Sequence, residues 1–194
     1  MANPTASRGL ISYYFVRAGV SAAWVAAAVT VGPTMTPVAA ALLIAYPAWD
    51  AVANLADAQR SGGWKANTSQ VVNAAISVVT ALAVAVSLGM SLHAVLAVFG
   101  IWAILSGLLQ LATGIRRWNT GAQWAMVLSG AQSALAGLFF LTKANGAAVP
   151  GLVDLAPYAA FGAFYFLLSA VWLTLSRHRR GVADARAARS KVAA

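Results

Sequence analysis

Six unbroken apolar stretches account for most of the chain. They run over approximately residues 10–31, 37–58, 69–88, 92–115, 123–141 and 156–176, each bounded by charge, glycine or proline. A hydrocarbon core about 30 Å thick takes ~20 apolar residues at helical rise, so each stretch is predicted to cross a membrane as one helix. The stretches are continuous runs, not alternating short segments, which excludes a transmembrane β-barrel. Gly32 to Thr36 and Gly89 to Ser91 are very short connections that turn the flanking spans back on each other. The predicted fold is therefore all-α integral membrane, with six transmembrane helices as three antiparallel hairpins. The first span is too long for a signal-peptide core and contains Arg17, so it is expected to be a retained anchor. Residues 1–180 are expected to form one six-helix domain, with 181–194 a basic tail.

Composition explains why lipid is the solvent. Of 194 residues, 61% are hydrophobic and 9% charged, whereas a soluble domain carries roughly 25% charged residues. No cysteine is present, which removes disulfides, thiolate metal sites and thiol nucleophiles. The net charge of +9 has a topological reading. With six spans, Arg8, Arg60, Lys65, Arg116, Arg117 and the tail residues Arg177, Arg179, Arg180, Arg186, Arg189 and Lys191 share one face, and Arg17 lies near it. Lys143 lies on the other face. The positive-inside rule then places both termini in the cytoplasm. A nucleic-acid partner is not expected, because the basic residues are dispersed at span ends without an aromatic and basic platform. The partner the sequence predicts is the bilayer.

The even-numbered spans carry a recurring spacing. Tyr46, Asp50, Asp57 and Arg60 are matched by Trp102, Ser106, Thr113 and Arg116, and again by Tyr165, Ser169, Ser176 and Arg179. A shift of 56 residues also carries Arg17 onto Asn73 and Ser21 onto Ser77. The pattern predicts three copies in one orientation around a pseudo-threefold axis, unlike the inverted repeats of many transporters.

The stretch from Gly100 through Trp102, Ser106 and Gly107 to Ile115, Arg116 and Arg117 is followed by Leu128-Ser129-Gly130-Ala131-Gln132-Ser133-Ala134-Leu135-Ala136-Gly137. In these segments the chain resembles the HdeD-like family, built from a short repeat (domain of unknown function 308). The resemblance implies a six-helix bacterial inner-membrane protein, an association with acid stress in some members, and no catalytic residues. Tyr46-Pro47-Ala48-Trp49-Asp50 and the second aspartate, Asp57, depart from the generic pattern.

Three ionisable side chains are predicted within the hydrocarbon, where a charge at a helix centre costs roughly 2.5–3.5 kcal/mol. At ~1.5 Å per residue, Asp50 lies about 15 Å from Arg60, near the midplane, and Arg17 lies about 10 Å into the first span. Tyr46, Asp50, Asn54 and Asp57 share one helical face. With Arg17, they form the candidate polar site. Two readings stand: a proton-responsive or solute-binding pocket at Asp50 and Arg17, or an ion pair of Arg17 with Asp50 or Asp57 that fixes the first hairpin, with Asn54 completing its hydrogen bonds.

Gln70, Asn73, Ser77, Thr80, Gln110, Gln132 and Ser133 are expected to be interhelical hydrogen-bond glue. The spaced small residues Gly130 and Ala134, Ser133 and Gly137, and Gly19 and Ala23 permit close helix approach, within the chain or in a homo-oligomer. Pro47 is expected to kink the second span, and His93 to anchor the outer interface. No paired histidines, acidic metal cluster, phosphate loop or nucleophile with a base is present. No enzyme activity, metal or cofactor is expected. The sequence thus predicts a non-enzymatic inner-membrane protein of HdeD-like type linked to acid or envelope stress. The alternative is a small transport or permeation protein for protons or a small solute, using the site around Asp50 and Arg17. No ligand is identified by either.

Overall fold

The computed structural model describes residues 4–32, 36–116, 118 and 124–192, and the side chains of 9–32, 36–116, 118, 124, 126–179 and 181. Arg8, Arg117, Gln123, Arg180, Arg186, Arg189 and Lys191, used above for topology and span limits, lie outside the described side chains. The described chain is helical: α1 (Pro4–Thr30), α2 (Thr36–Arg60), α3 (Thr68–Ser87), α4 (Leu92–Arg116), α5 (Trp124–Ala144) and α6 (Ala156–Val192), with one 3-10 turn at Leu152–Leu155. Six of these segments are long and apolar enough to cross a membrane, within a few residues of the limits expected from the sequence. The chain is a multi-pass membrane protein. In lipid a spanning helix satisfies its own backbone, so it can leave apolar side chains outside. Val52, Val79, Leu82, Val86, Leu135 and Phe139 do so, each more than half exposed.

Local signals set the ends. α2 continues through Pro47, which is buried. It stops at Arg60, where Gly62 and Gly63 take positive φ of 109° and 91° and the Gly63 N–H donates to the Ala58 carbonyl at 2.9 Å. This is a Schellman-type ending that a Cβ would strain. The buried Asn67 then secures the α2–α3 turn, its amide donating to the carbonyls of Ser61 at 2.9 Å and Gly63 at 3.0 Å.

The tightest packing does not follow the three predicted hairpins α1–α2, α3–α4 and α5–α6. α4 packs most extensively on α5, then α1 on α6 and α2 on α3, while α1–α2 and α5–α6 touch much less. The α4–α5 seam is a matter of size. A Cβ on Gly107 would lie 2.6 Å from the Gly130 carbonyl oxygen and the Ala134 amide nitrogen, and one on Gly137 would lie 2.5 Å from the Gly100 carbonyl oxygen. The small residues of α5 thus serve packing inside the chain. Gly19 differs: it is exposed and has nothing within 4 Å of its missing Cβ.

An aromatic and aliphatic core fills the half of the bundle away from the basic ends. Trp24, Phe99, Trp102 and Phe140 pack there with Leu152 and Leu155 of the 3-10 turn. The Trp24 indole donates to the Leu42 carbonyl at 2.8 Å, joining α1 to α2. Asp154 holds the turn in place, accepting from the Gly151 N–H at 2.7 Å and pairing with Lys143 at 2.5 Å.

Candidate functional site

All six helices contribute to one internal chamber of about 590 Å³. It reaches from Tyr46, Trp102 and Tyr158, under the aromatic core, to Leu10, Asp57 and Trp124 at the basic end of the bundle. Arg17, Tyr46, Asp50, Asn54 and Asp57, the five residues singled out from the sequence, all line it. So do six repeat-related positions: Tyr46, Trp102 and Tyr165, and Asp50, Ser106 and Ser169.

Asp50 is the node of the chamber. One carboxylate oxygen is ion-paired with the Arg17 guanidinium. The other accepts from Asn54 at 2.9 Å, Asn73 at 3.2 Å and Ser77 at 2.9 Å. Ser77 in turn accepts from the Trp102 indole at 3.0 Å. One carboxylate therefore ties α1, α2 and α3 together and reaches α4 through a hydroxyl. Asp57 stands apart: Gln70 and Ser61 each donate to it at 3.4 Å, and among the described residues it forms no ion pair.

Arg17 is held from three directions. It donates to the Tyr13 hydroxyl at 3.1 Å, which donates onward to the Ala53 carbonyl at 3.0 Å. Its guanidinium lies 4.2 Å from the centre of the Phe166 ring of α6, a cation–π contact. Arg17 and Asp50 side chains are 13% and 15% exposed, so charge pairing and hydrogen bonding must together offset their desolvation. Tyr158 donates to Ser133 at 2.9 Å, and Ser133 to the Ala103 carbonyl at 2.9 Å.

Other polar atoms in the chamber are not matched. Arg17 Nε, Trp49 Nε1, Gln70 Oε1, Asn73 Oδ1 and Ser106 Oγ are buried without a hydrogen-bond partner, and all five residues line this one space. Each such group left unsatisfied costs about 1–3 kcal/mol. The amide orientations follow from the network: the nitrogens of Gln70 and Asn73 face carboxylates, which leaves both carbonyl oxygens buried without a donor.

Sequence spacing found the α2 stripe and the serine equivalents on α4 and α6. It assigned Asn73 and Ser77 to interhelical hydrogen bonding, and both donate from α3 to Asp50 on α2, a partner the spacing did not name. Thr80 bonds within its own helix, to Ile76. Phe166 and Gly162 line the chamber without any signal in the sequence pattern, and Trp49 lines it within the segment Tyr46 to Asp50 that departs from the generic repeat. Among the described residues no cluster of acidic, histidine or cysteine side chains could hold a metal.

Residues 72–142 match the family model described as a short repeat of unknown function (DUF308). The match spans most of α3, all of α4 and most of α5, and so includes the glycine seam together with Asn73, Trp102 and Ser106. Arg17 and Asp50 lie outside it. No curated protein and no solved structure matches the chain.

Proposed function

We propose that this chain is a non-enzymatic inner-membrane protein of bacterial type that passes a small solute through its central chamber. The observation that carries the reading is one space of about 590 Å³ that all six helices line and that polar side chains from each helix border, among them Asn54, Gln110, Ser129, Gln132 and Ser169. A dry structural ion pair needs no such surroundings. A bilayer-spanning protein keeps intramembrane polar groups facing a bundle interior or pathway. Asp50 acts as the anchor of this arrangement, since its oxygens are already engaged by Arg17, Asn54, Asn73 and Ser77. That saturation favours a solute over a proton as cargo. The matching residues of the repeat, Tyr46, Trp102 and Tyr165 and Asp50, Ser106 and Ser169, all border that space. An acid-stress role, carried from the HdeD-like resemblance, is a separate physiological question that survival of a deletion strain in acid answers.

Blocking the chamber tests the reading. A Cβ on Gly162 would meet the Tyr46 hydroxyl at an ordinary 3.7 Å, and Gly162 lines the chamber, so Gly162→Phe is expected to fill that space from α6. Proteoliposomes of the wild type should swell faster than protein-free liposomes in at least one of urea, glycerol, guanidinium and nitrate gradients. Gly162→Phe should return that rate to the protein-free value while eluting as the wild type does. Equal rates with and without protein for every probe would end the permeation reading.

Orientation is tested separately, and the absence of cysteine makes the test clean. The positive-inside reading places the α2–α3 turn in the cytoplasm and the α3–α4 turn outside. In intact cells a membrane-impermeant maleimide should label Met90→Cys, which is 73% exposed at present. Ala66→Cys, also exposed, should label only after permeabilisation. The reverse pattern would invert the topology.

A further inference from the structure

We infer that the chamber selects small uncharged solutes that both donate and accept hydrogen bonds, and discriminates against free ions. The inference rests on the solute-pocket reading above and names its substrate class. The chamber is lined by groups that each donate and accept: the amides of Gln110 and Gln132 and the hydroxyls of Ser129 and Ser169. Gln110 sits on α4, Ser129 and Gln132 on α5 and Ser169 on α6. A solute bridging them accepts from one and donates to another, as an amide, a urea or a polyol does.

Charge gives the second half of the argument. Around Asp50 the one cation and the one anion neutralise each other, and each is held by further hydrogen bonds or ring contacts. Breaking that pair to engage an entering ion would strand its partner in a low-dielectric interior. The remaining polar lining beyond it is neutral: Gln110 and Gln132 amides and Ser129 and Ser169 hydroxyls. The surrounding walls are aromatic, with Trp102, Tyr158 and Phe166 among them, and flat apolar faces suit an uncharged solute better than a hydrated ion. Asp57 lies toward the basic end, seven residues beyond Asp50. Its charge acts at the entrance and leaves the deep part neutral.

The chamber volume of about 590 Å³ falls within the range of ordinary small-molecule sites. Specificity therefore has to come from hydrogen bonding and charge, not from size exclusion alone.

Urea, guanidinium and nitrate form a charge series of nearly constant size and planar shape. In proteoliposome swelling, protein-dependent urea entry should exceed that of guanidinium and nitrate by at least about tenfold, because each ion must shed water without gaining a counter-charge. Guanidinium or nitrate entering as fast as urea would overturn the selectivity while leaving permeation intact. A binding measurement decides the class even where no probe crosses. The fluorescence attributable to Trp49, taken as the wild type minus Trp49→Phe, should be quenched by acrylamide, a neutral amide, and protected from iodide and caesium. Gly162→Phe should remove the acrylamide effect. Equal quenching by all three, or quenching indifferent to Gly162→Phe, would overturn the inference.

Discussion

Replacing Asp50 with leucine is expected to destabilise the protein by about 3–5 kcal/mol, the cost of leaving a buried charge without its partner. Three hydrogen bonds are lost as well, from Asn54, Asn73 and Ser77. Two of the three cross between helices, where such bonds average only ~0.6 kcal/mol, so their sum stays under about 2 kcal/mol. The stranded Arg17 charge therefore decides the outcome. Asp50→Asn should cost less, since one oxygen still accepts from Asn73 or Ser77. Arg17→Met combined with Asp50→Leu should recover much of the lost stability, as removing both members of a buried pair often does. Thermal unfolding of the detergent-solubilised single and double variants measures this. A double variant no more stable than Asp50→Leu alone would show that the stranded charge is not the main cost.

Gly137→Ala is expected to unseat α5 from α4. The new methyl would lie 2.5 Å from the Gly100 carbonyl oxygen and 2.8 Å from the Ile104 amide nitrogen. Both are backbone atoms and cannot rotate away. Restoring ordinary contact distances requires the helices to part by about 1 Å. Overpacking of this kind costs roughly 1–3 kcal/mol, here along the most extensive helix contact in the molecule. Gly19→Ala is the control. Its methyl would enter open space on the outside of α1, and alanine improves helix propensity by up to ~1 kcal/mol. Thermal unfolding should therefore separate the two substitutions in sign. A loss of stability in Gly19→Ala would instead reveal a second copy of the chain packed on that face.

The candidate site was partly legible because depth and face follow from helix geometry. Rise places Asp50 deep and Asp57 shallow, and a turn angle of about 100° puts both on a stripe with Tyr46 and Asn54. The same reasoning left open whether Arg17 would meet Asp50 or Asp57, since both lie within reach of its depth. The structure pairs it with Asp50. The role of Asn73 was hidden for a related reason: a polar residue on a spanning helix must face protein, but its partner lies on another helix. Gly162 and Phe166 gave no signal at all, because small and apolar residues are equally at home against lipid, helix or cavity.

Helix pairing was the least legible feature. Short connections predict which spans turn back on each other, yet α4 packs most closely on α5 and α1 on α6. Glycine spacing announces that a close approach exists without naming the opposing helix. Gly107 and Gly137 needed a partner of complementary shape, and the tertiary arrangement supplied it in each other's helices.

From sequence alone came the six apolar helices, their limits to within a few residues and the stripe of Tyr46, Asp50, Asn54 and Asp57 on the second of them. These follow from local quantities: hydropathy over ~20 residues, helical rise and the need of every backbone group in lipid for an internal hydrogen bond. Only the tertiary structure decided that Arg17 meets Asp50, that five buried polar atoms remain unpartnered, and that all six helices line one chamber. Those outcomes depend on distances between helices far apart in the chain, where several partners of equal chemistry compete and only three-dimensional packing selects one.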